Sequence, residues 1–107
     1  MRLPNGYRWP YVNIEDRVIR FLLEEVTDPT TRDHLHEMLD GESATELDVR
    51  ELSPEGRQQV LNALAERLVP AALAWYAEDA HMAGSVGTVK QLWLMAEDVL
   101  RQEDGDS

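Results

Sequence analysis

The chain has 107 residues, 43% of them hydrophobic and 29% charged, which suits one hydrophobic core and a single domain spanning residues 1–107. It has no cysteine, so disulfides, thiolate metal sites and cysteine nucleophiles are excluded together. The formal net charge of −11 repels phosphate backbones and anionic lipid headgroups; nucleic acid and membrane surfaces are disfavoured as partners, and a basic protein is the natural complement.

Met1 to Gly6 lacks the apolar core of a secretory signal, and no run approaches the roughly 20 apolar residues of a membrane helix. A cytoplasmic location is expected. Residues 1–12 hold Pro4, Pro10, an Asn5-Gly6 turn signal and the alternating aromatics Tyr7, Trp9 and Tyr11, which predicts an extended arm. Its rings should pack over the helices as a lid, the alternative being an arm that docks on a partner.

Asn13 reads as a helix cap before Ile14, Val18, Phe21 and Leu22, with Ile19, Leu23 and Val26 widening the apolar face: a helix over 13–26. Asp28-Pro29 supplies a cap and a first-turn proline, and Thr31, Leu35, Met38 and Leu39 share a face before Gly41, giving a second helix over 29–40. In 41–53, Ser43 and Glu46 form a capping box while Leu47 and Val49 alternate, so a short helical turn should lead into an extended connector whose Leu47, Val49 and Leu52 plug the core.

Ser53-Pro54-Glu55 is a strong helix start. The stripe Val60, Leu61, Leu64, Leu68, Leu73 and Tyr76, with Ala65 and Ala72, predicts one helix over 54–81, kinked where the Pro70 ring meets the carbonyl of Glu66. Gly84 and Gly87 interrupt, Ser85 can cap, and Val86, Val89, Trp93, Ala96 and Leu100 define a helix over 86–102, followed by a frayed tail at 103–107. The expected fold is all-α: a compact, irregular antiparallel bundle of four main helices with an extended N-terminal arm.

Catalytic patterns are weak. Glu78 and His81 form one E-x-x-H pair, but a di-metal bundle needs a second pair and two more glutamates, and His34 with Glu37 gives only the reversed order. His34 and His36 point about 200° apart on a helix and cannot chelate one ion. Asp33 or Glu37 beside His34 lacks a nucleophile and an oxyanion hole to serve. Gly84-Ser85-Val86-Gly87-Thr88 lacks the lysine-serine/threonine ending of a phosphate loop and follows a helix. Trp75, Tyr76 and Trp93 fall on or beside apolar stripes and are expected to anchor the fold. No enzyme activity, cofactor or metal is expected.

Charge is the informative feature. Glu24 to Glu55 holds eleven acids and two arginines, hence nine of the eleven net negative charges. A one-sided acidic face speeds encounter with a basic partner, although acids also serve solubility alone. Asp33, Glu37, Asp40, Glu42, Glu46, Asp48 and Glu51 are the candidate contact residues. Ser53-Pro54-Glu55-Gly56 also resembles the start of a helix in colicin-type immunity proteins, a four-residue likeness that helix capping explains by itself.

The expected function is a stoichiometric inhibitor or immunity-type protein, of a kind found in bacteria, that neutralises a basic toxin or enzyme such as a nuclease. The alternative is a helical adaptor or self-associating subunit whose apolar faces make the contact. A carboxylate metalloenzyme stands third.

Overall fold

A computed structural model describes residues 1–9, 12–40, 47–78 and 86–105 of the chain. Helices occupy most of them: α1 Val12–Glu25, α2 Pro29–Leu39, α3 Pro54–Glu66, α4 Leu68–Glu78 and α5 Val86–Gly105, with a single 3-10 turn at Val49–Glu51. No strand is present among the described residues, and no helix there is long and apolar enough to cross a membrane. The Cα radius of gyration is 13.3 Å, that of a compact chain of this length.

The helix starts follow cap chemistry. Asp28 caps α2, its carboxylate accepting from the Thr31 backbone N–H at 3.0 Å, and Ser53 caps α3, its hydroxyl accepting from the Gly56 N–H at 3.1 Å. Pro29 and Pro54 sit where a missing donor costs nothing. Asn13 does not cap α1, which begins one residue earlier. The end of α1 is closed from the next helix: Arg32 of α2 donates through Nη1 to the carbonyls of Leu23 and Val26.

The helix expected over 54–81 is in fact two, because α3 ends at Glu66 and α4 begins at Leu68. Arg67 breaks the run with φ −123° and ψ −15°. Pro70 cannot donate to the Glu66 carbonyl and its ring crowds that group, so the helix restarts two residues before the proline instead of bending at it. Pro70 then falls in the first turn of α4, where no intrahelical donor is needed. The expected end at 81 lies outside the described residues.

The buried stripe nevertheless runs on through the break, from Leu61 and Leu64 to Leu68, Ala72 and Trp75 at spacings of three and four. Leu68 and Ala72 are buried and Trp75 half-buried, but Leu73, expected in the same stripe, is 51% exposed. Trp75 meets Phe21 edge-on at 6.0 Å, with the Arg17 guanidinium 5.7 Å from its ring centre. In α5 the core stripe is Val89, Leu92, Ala96 and Val99, while Trp93 and Leu100 are half-buried at its edge. The helix continues to Gly105, so residues 103–105 are helical where a frayed tail was expected.

The buried residues form one cluster, and α3 lies against α1, α4 and α5. Leu47, Val49 and Leu52 of the connector are buried in it as expected, but the connector is not extended throughout: the 3-10 turn Val49–Glu51 brings Leu52 back to the core three residues after Val49. The N-terminal arm contributes more than a lid. Met1, Leu3 and Trp9 are core residues, and a turn at Gly6, φ +91°, folds the arm back so that Leu3 N–H donates to the Tyr7 carbonyl and Trp9 N–H to that of Met1. Its other edge pairs with the connector: Arg2 N–H donates to the Leu47 carbonyl at 2.7 Å and Val49 N–H to that of Arg2 at 2.9 Å. The Trp9 indole donates to the Thr88 carbonyl at 3.1 Å, in the first turn of α5.

A polar junction joins the starts of α2 and α3. The Asp28 carboxylate also accepts from the Thr31 hydroxyl at 2.6 Å and from the Ser53 hydroxyl at 3.2 Å, so the cap of one helix holds the cap of the other. Gln59 of α3 accepts from the N–H groups of Thr27 and Asp28 through Oε1 and donates to the Thr27 hydroxyl. Gly56 makes the approach possible, since a Cβ there would stand 1.8 Å from the Thr31 hydroxyl oxygen.

Gly56→Ala should therefore destabilise the domain by about 1–3 kcal/mol in urea unfolding, although alanine is the better helix former by ~1 kcal/mol. Asp28 gives a second test. Hydrogen bonds from the Thr31 hydroxyl and then its N–H, with a smaller one from Ser53, hold its carboxyl below the ordinary value against the cost of desolvation. A folded-state pKa below the unfolded one stabilises fully above about pH 4, and that stability disappears as pH falls through the folded value. Melting temperature followed from neutral to acid pH should drop less in Asp28→Asn than in the parent; equal acid limbs would remove the shared cap from the account.

Candidate protein-binding face

Helix α2 turns Thr31 and Leu35 into the core, with Met38 and Leu39 half-buried beside them. Asp33, Glu37 and Asp40, spaced i, i+4 and i+7, fall on the opposite side and are exposed. None of the three has an ion-pair partner among the described residues. Arg32, on the same helix, is committed to the carbonyls ending α1.

These acids oppose local stability. Asp33 and Glu37 are like charges one turn apart, and Glu37 in the last turn and Asp40 at the C-cap face the negative end of the helix dipole.

The other candidates divide. Asp48 is half-buried and structural: it caps the 3-10 turn, accepting from the Arg50 N–H at 3.0 Å, and takes the Arg50 guanidinium at 3.0 Å from Nε and 2.8 Å from Nη2. The Arg50 side chain is the main cause holding the Asp48 carboxyl below its usual value, against desolvation and with help from the charge of Arg2. Glu51 is exposed at the end of that turn, where it borders a cavity of about 170 Å³ with Thr30, Thr31, His34, Leu52 and Ser53. Glu42 and Glu46 lie outside the described residues.

The acidic stretch thus separates by role. Glu25 pairs with Arg67 at 2.6 Å, and Asp28 and Asp48 are caps, so these acids help to build the fold. Asp33, Glu37 and Asp40 form an open carboxylate face, with Glu51 on a neighbouring element. A count along the sequence could not divide them, although the Asp48-Val49-Arg50 order does place a base within reach of a capping acid.

Among the described residues no three His, Asp or Glu side chains are grouped to hold a metal ion. The Glu78 side chain, His81 and Gly84-Ser85 lie outside the described residues, and Gly87 and Thr88 belong to the first turn of α5. Comparison with family models, curated proteins and solved structures finds no match for this chain.

The division of roles predicts unequal losses. Asp48→Ala should cost about 1 kcal/mol of unfolding free energy through the lost cap, whereas Asp33→Ala should stay within about 0.5 kcal/mol. Chemical denaturation of both variants measures the difference.

Proposed function

We propose that this chain is an acidic protein-binding domain, an inhibitor or immunity-type protein that neutralises a basic toxin or enzyme stoichiometrically in the cytoplasm. We take the helices as an irregular antiparallel bundle that holds α2 rigidly, with binding and not catalysis as its mode of action. The observation that carries the reading is the aligned trio Asp33, Glu37 and Asp40, exposed and without ion-pair partners among the described residues, with Glu37 and Asp40 placed against the helix dipole. Like charges held at such cost are relieved by a basic surface, which also gains from steered encounter.

The contact set centres on Asp33, Glu37 and Asp40, with Glu51 at its edge; Glu42 and Glu46 belong to the same stretch of sequence. Asp48 is left out of the test because its loss would disturb the 3-10 turn.

Replacing Asp33, Glu37 and Asp40 together by lysine should abolish recovery of a basic polypeptide that the parent protein retains from cell extract. Stopped-flow association with that polypeptide should slow tenfold or more at low salt, and the difference should fade between about 0.05 and 0.5 M salt as the screening length falls from roughly 14 to 4 Å. The same variant should be slightly more stable alone, by a few tenths of a kcal/mol. Equal association rates at every salt concentration would remove the acidic face from the function.

A further inference from the structure

The junction that Asp28 ties together also leaves a hollow. A cavity of about 170 Å³ lies between the first two turns of α2, the 3-10 turn and the start of α3, lined by Thr30, Thr31, His34, Glu51, Leu52 and Ser53. Thr31 and Leu52 are buried, His34 and Ser53 half-buried, and Thr30 and Glu51 exposed, so the lining grades from interior to solvent. A space of about 150 Å³ takes benzene, and this one therefore admits a planar group of that size.

Hydrogen-bonding capacity decides what kind of group. The Thr31 N–H, the Thr31 hydroxyl and the Ser53 hydroxyl all donate to Asp28, and the Gly56 N–H donates to Ser53. An anion finds these helix starts taken, because the Asp28 carboxylate already answers two dipole ends of about half a charge each. What remains towards the cavity is acceptors: the Glu51 carboxylate and lone pairs on the Thr30, Thr31 and Ser53 hydroxyls. Glu51 has no ion-pair partner among the described residues, and Arg50 beside it is taken by Asp48. One imidazole and one carboxylate line the space, and no group of three metal-binding side chains exists among the described residues.

An arginine side chain meets these demands together. Its guanidinium is planar, carries five donors, matches a carboxylate through two parallel bonds, stacks on a ring such as that of His34, and is weakly hydrated enough to lie against Leu52. The ammonium of lysine is compact, strongly hydrated and has no flat face to stack. His34 stands one turn from Glu37 on α2, so the cavity adjoins the acidic face. We propose that this cavity is a socket for an arginine side chain of the basic protein that the acidic face attracts. The source of the arginine rests on the proposed function, whereas the chemistry of the socket stands on its own lining.

N-acetyl-arginine amide, added up to about 50 mM to the isotope-labelled intact chain at constant ionic strength, is the probe, read by backbone amide chemical shifts. Thr30, Thr31, His34, Glu51 and Leu52 should shift together and saturate with a dissociation constant of the order of millimolar. N-acetyl-lysine amide should bind at least about threefold more weakly. Glu51→Gln should weaken binding of the arginine amide at least about threefold with the helical circular dichroism unchanged, and should speed dissociation of a retained basic polypeptide by about the same factor. No saturable shift, equal binding of the lysine amide, or a glutamine variant that behaves like the parent would each overturn the socket. Shifts confined to Asp33, Glu37 and Asp40 would overturn it while leaving the acidic face standing. Saturation at the socket with no basic polypeptide retained would instead overturn the basic partner as the source of the arginine, and with it the reading of the acidic face.

Discussion

One carboxylate holds the geometry on which the rest of the chain depends. Asp28 accepts hydrogen bonds from both donors of Thr31 and from the hydroxyl of Ser53, while Ser53 itself accepts from the Gly56 N–H. The first turns of α2 and α3 therefore share a single anion at the ends where their dipoles favour one. Its position also fixes Gly56, because the junction closes only where no Cβ intervenes. From this point α2 runs out along α1 and α3 crosses to meet α4 and α5.

The acids of the chain consequently do two kinds of work. Those near helix starts or opposite arginines build the fold, as Asp28, Glu25 and Asp48 do. Those along the outer face of α2 oppose it, through mutual repulsion and an unfavourable dipole.

Much of the helical outline was legible from local chemistry. The caps Asp28-Pro29 and Ser53-Pro54 encode their function within three residues, and the alternation of Leu47 and Val49 foretells their burial. The expected stripe includes Leu73, which five residues after Leu68 stands about 140° away from it, while the core face runs on through Ala72 and Trp75. What else escaped was non-local. The arm looked peripheral because its partners, Leu47 and Thr88, are remote in sequence. The candidate site was legible only as a density of negative charge, because pairing such as Asp48 with Arg50 is settled by side-chain geometry. Arg32 escaped for the same reason, since its task at the end of α1 leaves no periodic trace.

The Trp9 indole bonded to the Thr88 carbonyl spans 79 residues of chain. A contact between such distant positions cannot form until α5 exists to receive it, and closing so long a loop comes late in assembly. On the ribosome, therefore, the arm emerges before α5 and is seated after it. For most of its synthesis the chain presents Leu3 and Trp9 without the wall they will lean against, a window in which a chaperone has an apolar segment to hold.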